Sequence, residues 1–169
     1  MLVAADGTII VETSAIAAYL LKTYDTAGKF ATENWVREES LVSFASASLA
    51  PVMMIELLVG IIVTQSPWPI SYITKGIRKG LQSNYTTAEF KKSFTYVEEE
   101  LGDNEWLNGE KLGRSDIMMS WPFDNIAQRR WFDLEKECPK VAAWRGRIQN
   151  REAWKRALEK GNGYDLTIP

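Results

Sequence analysis

The chain reads as a mainly α protein that opens on a single β hairpin. Three observations predict this. Asp6-Gly7 separates Leu2-Val3-Ala4 from the β-branched run Thr8 to Val11, and Gly and Asp are the residues that best tolerate the positive φ of a two-residue hairpin turn. From Thr13 onward apolar residues recur at helical spacing nearly to the end, which marks amphipathic helices. Gly28, the cluster Thr64 to Pro69 and the segment Trp106 to Gly113 punctuate that pattern, since Gly, Pro and polar clusters end helices.

Taken in order, the hairpin runs straight into a helix expected over Thr13 to Tyr24, with Ala15, Ile16, Tyr19, Leu20 and Tyr24 on one face. Thr13 and Ser14 are both residue types that cap a helix. A strand that delivers its last residues onto a helix start leaves free N–H groups and a positive dipole end, a place that binds a carboxylate. Asp25 to Lys29 is a turn. Thr32 caps the next helix, with Glu33 in its first turn, and the pattern continues to about Val63. Ser40, Ser43, Ser46 and Ser48 with Ala45, Ala47 and Ala50 give its middle a small-residue surface that lets a backbone or a ligand approach closely. Pro51 predicts a kink, and Met53-Met54 is adaptable lining for a core or a pocket.

After the Thr64 to Pro69 connection a helix is expected from Ile70 to Ser83, with Lys75, Arg78 and Lys79 on a solvated face. It is interrupted or continued near Asn84 to Thr87 and ends at Leu101-Gly102, with Glu98-Glu99-Glu100 facing solvent. Trp106 to Gly113 is a compact turn set. It feeds a helix from Arg114 to Phe132 carrying Ile117, Met118, Trp121, Ile126 and Arg130 at helical spacings. Asp116 in its first turn suits the dipole, and Pro122 predicts a bend. Cys138-Pro139 starts a short helix with Val141, Trp144 and Ile148 inward. Arg151 to Lys160 is the last helix, Gly161 stops it, and Gly163 to Pro169 is a tail.

The totals exclude several function classes. With 169 residues and 46% hydrophobic content the chain can bury one good core. A net charge of −2 offers no basic footprint for nucleic acid. The single cysteine, Cys138, forms no internal disulfide, and with no histidine in the chain it reads as a bystander thiol. The missing histidines also remove Ser-His-Asp chemistry and most zinc sites. No basic leader precedes an apolar core, and the apolar run Leu49 to Val63 is too short to span a bilayer and contains Pro51, Glu56 and Gly60. These readings predict a cytoplasmic protein with no metal and no membrane partner. Asn84-Tyr85-Thr86 matches a glycosylation sequon by chance.

The order of these features resembles the glutathione transferase family, most closely its fungal-type members. The likeness is carried by Val11-Glu12-Thr13-Ser14-Ala15-Ile16 at the hairpin exit, by Trp106 to Ser120 around Gly113 and Asp116-Ile117, and by Ala153 to Gly161 at the end. The resemblance implies a mainly α fold with two parts. Residues 1–28 would be a residual ββα piece of a thioredoxin-like domain, and 29–169 an all-helical C-terminal domain. The βαβ half that precedes them in the family would be lacking.

The resemblance also implies glutathione as cofactor, with Glu12 accepting from its ammonium group and Thr13 donating to its carboxylate. It implies a substrate pocket between these residues and the helices carrying Ser43, Ser46, Met54 and Trp121. No side chain inherits the family's thiol-activating role, so the catalytic residue is unassigned; helix-start N–H groups, Ser43 or Ser46 would lower the thiol pKa. Two positions depart from the family pattern. Gly113 stands where a Ser or Thr cap is usual, and Ser46 where many relatives are acidic. The implied activity is glutathione-dependent chemistry on a hydrophobic small molecule, by conjugation or by cis–trans isomerisation, in a specialised metabolic pathway. The alternative is a non-catalytic binding or dimerisation module. The open edge of the hairpin predicts a homodimer that covers it.

Overall fold

The computed structural model describes residues 1–161 and 163–167. Strand β1 (Leu2–Val3) pairs antiparallel with β2 (Ile9–Ile10), Leu2 opposite Ile10. Gly7 takes φ 84°, and Asp6 Oδ1 accepts from Thr8 N at 2.9 Å across the turn. Helix α1 (Thr13–Tyr24) follows and has no buried residue. The hairpin leaves Val3, Ile9 and Val11 well exposed.

A long helix comes next, in three segments. α2 (Trp35–Ser43) passes through a π-helical turn, Phe44–Leu49, into α3 (Ala50–Gln65). The helix starts later than expected, because Thr32 Oγ1 accepts from Asn34 N and Asn34 Oδ1 in turn accepts from Arg37 N. Pro51 lies in the first turn of α3, just past the π turn. Its missing N–H is thereby absorbed where the hydrogen-bond register is already changing, as in Ala50 N to Ala45 O. By length and composition Trp35–Gln65 is sufficient to cross a bilayer, which the shorter run Leu49 to Val63 is not. One side of it, Leu41, Ala45, Leu49, Val52 and Met53, belongs to the common core.

α4 (Ile70–Leu81) and α5 (Thr87–Leu101) are likewise joined by a π turn, Gln82–Thr86, rather than interrupted. This turn brings Gln82 and Thr86 to the buried Glu56 of α3. Thr86 Oγ1 donates to Glu56 Oε1 at 2.5 Å, Gln82 Nε2 to Oε2 at 3.1 Å, and Arg78 reaches Oε2 at 3.4 Å. Arg78 therefore faces inward, away from the solvated side assigned to it, and the Thr86 hydroxyl of the sequon is committed inside the protein. Ile73 and Ile77 of α4 and Leu58 and Ile62 of α3 remain exposed.

The core closes with α6 (Arg114–Gln128), α7 (Leu134–Glu137), α8 (Pro139–Asn150) and α9 (Glu152–Lys160). α6 stops earlier than Phe132, because Arg130 enters the left-handed region at φ 55° and the N–H groups of Arg130 and Trp131 turn back to Ala127 O and Ile126 O. Phe94, Phe123 and Trp144 form a chain of edge-on ring contacts at 4.6 and 5.5 Å. Asp116 is buried among them and accepts from Leu107 N, Gly113 N and Trp144 Nε1 at 2.7–2.8 Å. Burial pushes its carboxyl up, and these bonds pull it back.

Gly113 carries no side-chain cap for α6. A Cβ there would stand 2.6 Å from Asn108 Cβ, so the close passage of that turn excludes a Ser or Thr. Glu98 is not free in solvent: its carboxylate accepts from Lys140 N and Val141 N, capping α8. Cys138 is buried in the core. The tail docks on the body. Tyr164 Oη donates to the buried Asp124, its ring meets Trp154 edge-on, and Leu166 N reaches Gln128 Oε1. Ile168 and Pro169, at the end of that tail, lie outside the described residues.

Candidate functional site

The start of α1 has an unusual backbone. Glu12 is the N-cap residue, at φ 69° and ψ 126°, and its side chain does not cap the helix. Among the described residues only Glu12 and Arg130 are non-glycine residues at positive φ. A non-glycine residue there costs about 1–3 kcal/mol and persists where the surrounding structure holds it. The sequence reading placed a cap at Thr13 or Ser14. Both residues instead lie inside the first turn, so their N–H groups, with that of Ala15, point out of the helix end with no side-chain cap. Glu12 O receives Ile16 N at 2.9 Å, the first bond of the helix.

These groups border a cavity of about 530 Å³ between α1, the π turn and α6, a size suited to a small organic ligand. Glu12, Thr13, Ser14 and Ala17 form one wall. Ala45, Ser46 and Ala50 form the second, from the small-residue surface noted in the sequence. Ile117, Met118, Trp121 and Pro122 of α6 form the third. Glu12 is the one charged side chain among these lining residues. The π turn matters here, since its extra residue widens the helix beside the cavity, where Ala45 and Ser46 stand.

Of the residues singled out in the sequence, Glu12, Thr13, Ser46 and Trp121 come together at this cavity. Ser43 and Met54 do not line it. Ser43 is the exposed last residue of α2, before the π turn, and Met54 lies one turn beyond Ala50 and is 47% exposed. Ser46 lines the cavity, but its hydroxyl lies 3.2 Å from Val42 O and 3.3 Å from Ser43 O and donates into its own helix. Its proton is thus engaged.

Ser14, Ala17, Ile117, Met118 and Pro122 were not singled out for this role. The sequence placed Ile117, Met118, Trp121, Ile126 and Arg130 at helical spacings along α6 without dividing them between faces. The structure divides the helix into a core face, Met119, Phe123 and Ile126, and a cavity face on which Ile117 and Trp121 are 41% and 46% exposed. A second cavity, of about 550 Å³, lies near Arg130, Phe132 and Arg145, and none of the residues singled out as a site reaches it.

The chain was compared with known proteins. The model of the glutathione S-transferase C-terminal domain matches residues 81–152. Glutathione S-transferase 1 of Saccharomyces cerevisiae is 27% identical over 157 residues, 90% of this chain and 67% of the relative. Glutathione S-transferase 3 of Schizosaccharomyces pombe is 26% identical over 166 residues, 96% of this chain and 68% of the relative. The chain thus spans about two thirds of the length of these two relatives. In fold it is similar to Ure2p5 from Phanerochaete chrysosporium, cocrystallised with 1-(S-glutathionyl)-2,4-dinitrobenzene. The TM-score is 0.69 at 21% identity, covering 92% of this chain and 70% of the other. Residues 81–152 thus match the glutathione S-transferase C-terminal domain, and over most of its length the chain is similar in sequence to fungal glutathione S-transferases.

Proposed function

We propose that the chain is a glutathione-dependent enzyme acting on a hydrophobic small molecule at the cavity beside Glu12. The observation that carries this reading is the strained Glu12 at an uncapped helix start, opening onto an otherwise uncharged cavity. The Glu12 carboxylate accepts from the ammonium of the γ-glutamyl end. The Thr13 hydroxyl and the N–H groups of the first turn donate to its carboxylate. The apolar wall of α6 receives the second substrate. Residues 1–28 serve as the glutathione-holding piece, and 29–169 as the helical domain that supplies this wall. The cited fungal neighbour holds a glutathionyl aromatic, which accords with this division.

Two reactions fit the site, conjugation and glutathione-assisted cis–trans isomerisation, the latter in a specialised metabolic pathway. Hydroxyls at the cavity belong to Thr13, Ser14 and Ser46. Ser46 already donates into its helix, and Thr13 and the first-turn N–H groups are taken by the γ-glutamyl carboxylate, so Ser14 is the hydroxyl left to stabilise a thiolate. Isomerisation regenerates the thiol and demands less of such a site. Mass spectrometry separates the two: conjugation consumes one glutathione per product, and isomerisation returns it. Protein that binds glutathione yet turns over neither an apolar electrophile nor a cis-alkene would favour the alternative, a non-catalytic binding module. We further propose a cytoplasmic homodimer that covers the hairpin edge left open at β1. A mass of one chain in light scattering at micromolar concentration would sink that proposal.

A further inference from the structure

The α3–α4 hairpin ends in a long uncharged tip. From Leu57 to Thr74 no residue is charged, and this stretch holds the last turns of α3, the connection through Trp68 and the start of α4. Trp68 stands 78% exposed at the turn, between Pro67 and Pro69. Leu58 and Ile62 of α3 and Tyr72, Ile73 and Ile77 of α4 are exposed behind it, and α4 has no buried residue. Apolar surface left in water at this density marks an interaction surface.

Charge is sorted along the hairpin by distance from that tip. The first charges met on α4 are Lys75, Arg78 and Lys79, about 8 to 14 Å along the axis from Ile70 at the helical rise per residue. Lys75 and Lys79 are exposed, and among the described residues neither pairs with a carboxylate. Arg78 is held by Glu56, the buried acid of α3. No other acidic residue occurs before Glu89. In a chain of net charge −2, this end therefore carries an acid-free positive collar behind an apolar aromatic tip.

We propose that this tip docks on the surface of a bilayer that contains anionic lipid. Trp68, at the turn, enters the boundary between headgroups and acyl chains, where its amphipathic ring is favoured. Ile62 and Ile73, about one turn behind it on either helix, bury alongside. Lys75 and Lys79 lie further back and meet the anionic headgroups. Their height fits, because an interfacial segment sinks about 5–10 Å. The hairpin docks without crossing, since Leu41, Ala45 and Leu49 of the same long helix are locked in the core. The unpaired lysines favour this occupant over a second copy of the chain, for which an apolar stripe alone suffices. The inference departs from the expectation of no membrane partner and is independent of the glutathione reading.

The test is flotation of the whole chain with vesicles of phosphatidylcholine and of an equimolar phosphatidylcholine–phosphatidylserine mixture, without glutathione. The wild type should bind the mixed vesicles about tenfold more tightly than the neutral ones, and high salt should erase most of that difference. Lys75→Glu combined with Lys79→Glu should remove the preference. Trp68→Ser should weaken binding to both compositions by about tenfold. These side chains are exposed, so the variants should keep the native circular dichroism. No binding of the wild type to the mixed vesicles overturns the proposal. So does equal binding to the two compositions, or equal binding by the wild type and Trp68→Ser. A chain that stays off the vesicles and forms a dimer that Ile73→Asp dissociates also overturns it, and assigns the apolar stripe to a second copy.

Discussion

Two helix starts in this protein are built in opposite ways. At α6 a buried carboxylate collects donors from three segments. Asp116 gathers Gly113 N, Leu107 N and Trp144 Nε1. At α1 the N-cap side chain makes no cap, the backbone is held at positive φ, and the first-turn donors face a cavity. The first arrangement converts its hydrogen bonds into stability. The second leaves its donors for something else to satisfy, at a conformational cost carried by the rest of the fold. A helix N-terminus is therefore a structural joint or a candidate anion site according to what already occupies it.

The comparison is broken most readily at α6. Asp116→Ala strands three buried donors and should cost about 3–5 kcal/mol in urea unfolding. A loss under about 1 kcal/mol would mean that this joint is no tighter than the start of α1. Glu98→Ala probes a third helix start, where a carboxylate from another helix caps α8; about 1–2 kcal/mol is expected by the same measurement. At α1 the sign reverses. Glu12→Gly relieves the backbone and should raise stability by about 1 kcal/mol. A destabilisation there would show that Glu12 is a structural cap after all.

The smallest effect concerns Cys138. Burial first, with the charges of Glu98 and Glu137, pushes its thiol up to about 11. Only about one part in a thousand is then thiolate at pH 8, so alkylation should be slow in the native protein and fast in denaturant. Rapid native labelling would contradict the packing described around α8.

The hairpin, α1 and the long helical pattern were legible because each is written in local chemistry: Asp6-Gly7, the β-branched run, the regular apolar spacing. The joint at Asp116 was half legible. Its place in the first turn was clear, but its three donors come from segments that only the fold brings together. The two π turns left no local mark that propensity rules detect, and they decided which small residues met the cavity. Ser43 and Met54 missed it for that reason of phase and position. Glu98 and Arg78 read as solvated charges because their partners, the α8 start and Glu56, are 42 and 22 residues away in sequence. The tail carried no periodicity at all, yet Tyr164 anchors it on Asp124.

The central claim is that the open start of α1 holds the γ-glutamyl end of glutathione. Calorimetric titration of the wild type and Glu12→Ala with glutathione tests it most directly. Binding should be measurable in the wild type and weaker by tenfold or more, about 1.4 kcal/mol, in Glu12→Ala, as fits a lost charge-assisted hydrogen bond. No heat at millimolar glutathione, or equal affinity in the two proteins, would contradict it.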